Sequence, residues 1–319
     1  MPASPQLLRL VFMGTPEFAV PSLRVLLDGK DQVVGVVTQP DQPSGRGMAF
    51  HAPPVKVLAE AHHVPVFQPT KLRVPGVLEH LQVWQPDLIV VAAYGRILPT
   101  TILTLPPLGC INVHASLLPK YRGAGPIQWA IANGETETGI TIMQISEQMD
   151  TGDIFLQKAL PIAANDTGGS LHDKLARLGA EVLREALRLL KAGQLTPRPQ
   201  NEAEVTYAPL IKKEDGRINW NLDAVAIERR VRAFNPWPSA YTTLSGKFLK
   251  IFAAQVESVP RSFQAAPGTI IEVTPVSVSV VTGNGVLTLL EVQLEGKKRL
   301  STEEFLRGHH IEPGAMLGT

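Results

Sequence analysis

Three polar side chains set the chemistry open to this chain. The run Cys110-Ile111-Asn112-Val113-His114 alternates, so on an extended strand Asn112 and His114 lie on the same face. A carboxamide and an imidazole then stand side by side. An asparagine N–H can donate to a carbonyl oxygen as that oxygen gains negative charge. An imidazole works as acid or base, or donates when protonated. Further on, Asp150 sits in the turn-forming sequence Met149-Asp150-Thr151-Gly152-Asp153, just after an apolar run at 140–145. A carboxylate there can orient His114. Each signal also has a plainer reading. A same-face polar pair can simply satisfy a buried loop. Asp-Thr-Gly recurs in unrelated turns and in aspartic proteases. A second Asp-Thr-Gly, at Asp166-Thr167-Gly168, leads straight into a helix start, which sets the protease reading aside.

The segment Ser116-Leu117-Leu118-Pro119-Lys120-Tyr121-Arg122-Gly123-Ala124-Gly125-Pro126 follows one residue after His114 and holds two glycines and two prolines. Glycine lets backbone approach a flat ligand, and proline stiffens the approach. Backbone amides in such a loop can read the edge of a heterocycle. The plainer reading is a connection into a helix near 127–133.

These side chains need a scaffold. Residues 7–13, 33–38, 88–92, 110–114 and 140–145 are short apolar runs, and helical spacing appears at 16–28 and 54–62. The alternation predicts a parallel, doubly wound sheet, whose ligands bind outside the C-terminal ends of the strands. The spacing predicts a long amphipathic helix over 170–192, with Ser170 and Asp173 as a capping box and Gly193 as its stop. Residues 194–209 are Pro-rich, polar and aperiodic, which predicts a linker. A helix is expected over 218–234, ended by Phe234-Asn235-Pro236-Trp237-Pro238. Beyond it, runs at 240–244, 248–256, 268–272, 276–282 and 286–293 predict a small β-barrel or sandwich. The expected division is a catalytic domain over 1–193, a linker over 194–209 and a β-domain over 210–319.

Bulk properties narrow the class. The chain has 319 residues, 44% of them hydrophobic and 18% charged, enough apolar surface for two cores. No apolar run approaches the roughly 20 residues that cross a bilayer, and the start lacks the features of a signal peptide. Cys110 is the single cysteine, which excludes an intrachain disulfide and a thiolate zinc cluster. The expected compartment is reducing, the cytoplasm. The formal net charge is +1, so an RNA partner has to use a local basic face. Gly14-Thr15-Pro16 lacks the Gly-rich dinucleotide fingerprint, which argues against NAD.

The ordered set of segments resembles the folate-dependent formyltransferases, most closely those that act on methionyl-tRNA. The resemblance begins at Val11-Phe12-Met13-Gly14-Thr15-Pro16-Glu17-Phe18-Ala19 and continues through Pro40-Asp41-Gln42-Pro43-Ser44-Gly45-Arg46-Gly47 and Ala93-Tyr94-Gly95-Arg96-Ile97-Leu98-Pro99. It includes Asn112-Val113-His114, Ser116-Leu117-Leu118-Pro119, Gly139-Ile140-Thr141-Ile142-Met143-Gln144 and Asp150, and reaches Ala233-Phe234-Asn235-Pro236-Trp237-Pro238.

That resemblance implies a Rossmann-like catalytic domain followed by a smaller β-barrel similar to an OB-fold, which binds tRNA. It implies 10-formyltetrahydrofolate as the formyl donor, the amino group of initiator methionyl-tRNA as the acceptor, no metal, and action in the cytoplasm as a monomer. It places the catalytic residues at Asn112, His114 and Asp150. Asn112 and His114 are expected to stabilise the oxyanion, while Asp150 holds His114 and helps manage the amine proton. Ser116, Leu117, Leu118 and Pro119 fall on the folate segment. The loop over 38–51 is expected to reach the tRNA acceptor end with Arg46 at its centre, and Lys212 and Lys213 are the further tRNA candidates. Two departures stand out. Ala49-Phe50-His51 stands where relatives often carry a basic residue, and Gly125 where they usually carry alanine.

Residues 205–319 hold 13 Lys or Arg against 11 Asp or Glu, so the basic residues there serve RNA only if they share a surface. Formyl transfer to a purine precursor or a nucleotide sugar, formyl-folate hydrolysis, and a non-catalytic RNA-binding role stay open as alternatives. The second domain and the segment 234–238 favour tRNA.

Overall fold

The computed structural model describes residues 7–44, 49–257 and 265–318. The chain forms two compact units. The first holds Met1–Pro126, Glu137–Pro161 and His172–Pro209; the second holds Ile127–Thr136, Ile162–Leu171 and Leu210–Thr319.

In chain order the elements are β1 (Arg9–Gly14), α1 (Val20–Leu27), β2 (Gln32–Val37), β3 (Gln42–Ser44), β4 (Ala49–His51), α2 (Pro54–Ala61), β5 (Val66–Phe67) and α3 (Val77–Trp84). Then follow β6 (Leu88–Ala92), α4 (Thr100–Leu103), β7 (Cys110–His114), α5 (Pro126–Ala132), β8 (Glu137–Gln144), β9 (Ile154–Pro161) and α6 (Gly168–Lys191). The first unit is built on a seven-stranded sheet in the order β5-β2-β1-β6-β7-β8-β9. Strands β5, β2, β1, β6 and β7 are mutually parallel. The strand order turns at β1, whose neighbours are β2 and β6, and a crevice opens beyond such a switch point. All five residues of β6 are buried, and sealing each of its large side chains from water contributes about 1.5–3 kcal/mol.

The expectation of a wholly parallel sheet fails at β8. It pairs antiparallel to β7, with His114 opposite Thr141, and β9 pairs antiparallel to β8. A strand buried along most of its length reads the same in both directions, so its pattern carried no direction. The cap of α6 is also displaced. The helix starts at Gly168, and Thr167 and Ser170 bond reciprocally: Ser170 N–H to Thr167 Oγ1 at 3.1 Å and Thr167 N–H to Ser170 Oγ at 3.0 Å. Ser170 thus occupies the third helical position rather than the cap, and Gly193, at φ 65°, terminates the helix region as expected.

Residues 194–209 are not a free tether. Arg198 exchanges both backbone bonds with Ile154, at 2.9 and 2.8 Å, and Tyr207 bridges Arg122 in parallel. The segment is a strap belonging to the first unit. An edge strap and a linker have the same aperiodic, Pro-rich composition, and only the unpaired backbone beside it distinguishes them.

The second unit continues with α7 (Ala224–Ala233), β10 (Ala240–Leu244), β11 (Lys247–Val256), β12 (Ile270–Val273), β13 (Val278–Val281), β14 (Val286–Leu294), β15 (Leu300–Ser301) and α8 (Thr302–Gly308). Helix α7 is shorter than the helix expected over 218–234, because Asp223 caps it by accepting from Ala226 N–H at 2.7 Å. The preceding residues instead line the sheet: Ile218 N–H donates to Tyr241 O at 2.8 Å, and buried Trp220 donates to Thr242 at 3.1 Å. The antiparallel sheet runs β10-β11-β14-β13-β12, with β15 on β14. Its two edges are joined by the C-terminal segment. Ile270 N–H donates to Ala315 O and Leu317 N–H to Gly268 O, each at 2.8 Å, while Gly318 N–H reaches Thr243 O at 3.0 Å. This closes the sheet toward the barrel expected from the strand pattern around a core that includes Trp220, Ile227, Leu249, Ile251, Leu289 and Phe305.

Candidate active site

Strand β7 presents Asn112 and His114 at its C-terminal end, as the alternation predicts. Asn112 is half-buried and its carboxamide has no hydrogen-bond partner among the described residues, so its N–H groups are open to a ligand. His114 is buried, at 6% exposure. Its Nε2 lies 3.0 Å from Tyr121 O. A carbonyl oxygen only accepts, so the ring donates there and Nε2 carries a proton. Its Nδ1 faces Asp150 Oδ1 at 3.7 Å. That is ion-pair range rather than a hydrogen bond. His114 and Asp150 therefore meet within the first unit, and Asn112 stands two residues earlier on the same face of β7. The way His114 is held differs from the expectation, however. Its N–H is taken by Tyr121, and the other nitrogen faces a carboxylate. A neutral ring so held offers a lone pair at Nδ1 beside an anion, which suits it to receive a proton more than to donate to an oxyanion.

The loop after β7 is rigid because its polar groups are satisfied internally. Ser116 Oγ donates to Lys120 O at 2.6 Å. Thr141, fully buried on β8, donates to Ser116 O at 2.7 Å and accepts from Leu118 N–H at 3.1 Å. Gln157 on β9 donates to Leu118 O at 2.8 Å and to Thr141 at 2.9 Å. The Leu118-Pro119 peptide is cis. Leu118 packs with Met143 and Ile154. Ser116 and Leu118 thus brace the wall from within, and Leu117 is the half-buried side chain of the four.

Two non-glycine residues here have left-handed backbone: Tyr121 at φ 63° and Asp150 at φ 55°. Such conformations persist where the surroundings over-determine them, and they gather at functional sites. Tyr121 N–H donates to Thr206 Oγ1 at 2.9 Å, which fixes the residue whose carbonyl holds His114. Asp150 Oδ2 accepts from Gly123 N–H at 2.8 Å, leaving Oδ1 toward the imidazole. Gly123 cannot carry a side chain: at φ 126° its Cβ would sit 2.4 Å from Ala208 O. Arg122, 4% exposed, inserts its guanidinium between Gln200 and Glu202, and its hydrogen bonds hold the Glu202 carboxyl below the usual carboxylate range. Sequence reasoning placed Tyr121, Arg122 and Gly123 in the loop without individual roles, quoted Thr141 only within a matching segment, and missed Gln157. The signal for Thr141 was present in Gly139-Ile140-Thr141, a polar residue within a buried run.

At the crevice beside β1 and β6, Gln39 donates to Tyr94 O at 2.9 Å and ties the loop over 38–51 to the segment over 93–99. Cys110 lies under this layer as a thiol that burial pushes up to about 12. It is a core residue there. Of the tRNA candidates, Lys212 and Lys213 are exposed at the start of a short 3-10 turn in the second unit. Arg46 lies outside the described residues. The β3–β4 hairpin that flanks it pairs Gln42 with His51 and Pro43 with Phe50, and Phe50 is 74% exposed.

Residues 8–187 match the family model described as formyl transferase, and residues 210–310 match that of the formyl transferase C-terminal domain. A methionyl-tRNA formyltransferase from Citrifermentans bemidjiense is 51% identical over 98% of this chain and 96% of its own length. Another from Myxococcus xanthus is 52% identical over 96% of this chain and 97% of its own. Among solved structures, an N-formyltransferase from Helicobacter canadensis, in complex with folinic acid and dTDP-3-aminofucose, superposes with a TM-score of 0.66 at 18% identity. It covers 92% of this chain and all of that one. At that identity the likeness speaks for the fold.

Proposed function

The chain belongs to the formyl transferase family, and from that premise we propose that it transfers the formyl group of 10-formyltetrahydrofolate to the amino group of initiator methionyl-tRNA. The observation that carries the chemistry is the unpartnered Asn112 carboxamide beside the His114–Asp150 pair at the end of β7. Near-full-length relatives that bear the methionyl-tRNA name support the acceptor.

In the reaction a bond forms between the methionyl nitrogen and the formyl carbon, and the bond from that carbon to the folate nitrogen breaks. The attacking amine loses a proton and the departing nitrogen gains one. Asn112 donates to the formyl oxygen as negative charge builds there. The amine proton is received between His114 Nδ1 and Asp150 Oδ1, where a protonated ring donates toward the carboxylate and keeps its Nε2–H on Tyr121 O. The braced segment of Ser116, Leu117, Leu118 and Pro119 forms the wall against which the folate lies.

The test offers the protein 10-formyltetrahydrofolate with charged initiator tRNA, free methionine, a purine precursor or a nucleotide amino-sugar. Formate is expected on the methionyl-tRNA alone. Formylation of the sugar or purine instead would replace this reading with one of those two. The fold shared with the Helicobacter canadensis protein does not choose among acceptors, which is why the acceptor itself must be assayed.

Arg46, Lys212 and Lys213 are proposed to contact the tRNA backbone. The exposure of both lysines supports this for the second unit. Each lysine replaced by alanine is expected to reduce the salt dependence of tRNA affinity by about one unit of log K per log salt, with kcat at saturating tRNA unchanged. An unaltered salt slope in Lys212→Ala and Lys213→Ala would remove them from the interface. No helix among the described residues is long and apolar enough to cross a membrane. A tRNA substrate and a lone buried thiol support action in the cytoplasm; the protein is proposed to act there as a monomer.

A further inference from the structure

The stretch with the composition of a linker reaches the backbone of the Asp150 turn through one side chain. Gln200 donates from Nε2 to Asp150 O and to Gly152 O, both at 2.8 Å. Its Oε1 accepts from Arg122 Nε at 3.0 Å and from Arg122 Nη2 at 2.8 Å. We propose that Gln200 is a positioning residue for Asp150, oriented by Arg122, and that it sets the separation of the Asp150 carboxylate from His114.

Five observations lead there. The carboxamide makes every hydrogen bond it can, two given and two received. Its orientation has no alternative: two carbonyl oxygens can meet only the NH2, and a guanidinium can meet only the oxygen. Arg122 is itself fixed, buried at 4% exposure and forked onto Glu202 at 2.7 and 3.2 Å.

The turn that Gln200 grips has no slack. Asp150 is held at φ 55°, and a Cβ on Gly152 would fall 1.9 Å from Gln144 O. A left-handed aspartate relaxes once its carbonyl is released, and relaxation moves the carboxylate.

The opposite side of the gap is held by the same strap. Ala208 N–H donates to Arg122 O at 2.8 Å, Gly125 N–H donates to Ala208 O at 3.1 Å, and Tyr121 N–H reaches Thr206. Residues 200–208 therefore fix both the carbonyl that holds His114 and the turn that carries Asp150. The 3.7 Å between Nδ1 and Oδ1 is a property of the strap as much as of β7. Displacing a reacting group by about 1 Å can cost on the order of 100-fold in rate.

The inference rests on Asp150 belonging to the site, and the experiment separates the two. Gln200→Glu keeps an acceptor for Arg122 and nearly the same size, but it sets oxygen against the carbonyls of Asp150 and Gly152. Gln200→Leu removes all four bonds. Formyl transfer to methionyl-tRNA is measured for both variants, for Asp150→Asn, and for Gln200→Glu combined with Asp150→Asn, each corrected for the folded fraction. Both Gln200 variants are expected to lose about 10- to 100-fold in kcat, with KM for either substrate within about threefold of the wild type. In the Asp150→Asn background, Gln200→Glu is expected to add less than about twofold, because its target is already gone.

Near-normal kcat in Gln200→Glu, with Asp150→Asn impaired, would show that the carboxamide serves only Arg122. That overturns the inference and leaves the proposed function standing. A full, additive loss in the double variant overturns it as well. Wild-type kcat in Asp150→Asn overturns the inference together with the role given to Asp150, while the transfer to methionyl-tRNA stands.

Discussion

Asn112→Ala is expected to lower kcat for formyl transfer at least about 100-fold, with KM for folate and tRNA nearly unchanged. The magnitude follows from the placement of the side chain. Asn112 is half-buried on β7 and gives its amide to no protein group among the described residues. Its N–H groups therefore have no prior partner to leave when charge develops on the formyl oxygen. A donor fixed in advance at a partly dry site contributes far more to a transition state than the same bond does in water. The effect falls on kcat because the ground-state formyl oxygen is a much weaker acceptor than the developing oxyanion. The strand itself is not at risk: Asn112 pairs with Val91 and Met143 through its backbone. Single-turnover formylation with saturating substrates reads the effect directly. A kcat within about threefold of the wild type would remove Asn112 from the chemistry.

His114→Ala is expected to cost a comparable factor, about 100-fold or more, by a different route. The imidazole is buried between Tyr121 O and Asp150, so its loss removes the nitrogen that receives the amine proton and exposes the carboxylate to a cavity. His114→Gln is the informative companion. A glutamine amide can still donate to Tyr121 O and fill most of the space, yet it cannot take up a proton near neutrality. If His114 acts in proton transfer, Gln and Ala are equally impaired. If it serves only to brace Tyr121, Gln restores most of the rate, and a rescued His114→Gln would end the proton-transfer role. Solvent-isotope sensitivity of single-turnover rates offers a second readout, expected in the wild type and reduced in both variants.

Much of this was legible in the chain itself. The alternation over 110–114 put Asn112 and His114 on one face, and the structure keeps them there. The apolar runs marked β1, β2, β6 and the strands of the second unit, because burial on one or both faces writes itself into local composition. Strands β5 and β9 and helix α3 escaped notice. β9 carries Gln157 and Lys158 on a partly exposed edge, and β5 spans two residues, so neither makes a periodic signal.

Sequence by itself determined which groups are available: an amide and an imidazole at a strand end, an acid in a turn, a stiff glycine–proline loop between them, and two cores to hold the units. Tertiary structure alone decided the rest. It ran β8 antiparallel, turned residues 194–209 from tether into strap, set the His114 N–H on Tyr121, and brought Gln200 to Asp150 across 50 positions of chain. The physical reason is the same each time. Side-chain burial repeats with the period of the local element and can be read along the chain. Strand direction, backbone hydrogen bonds at a sheet edge and a carboxamide's choice of partners depend on what lies beside them in space, which local residue order does not encode.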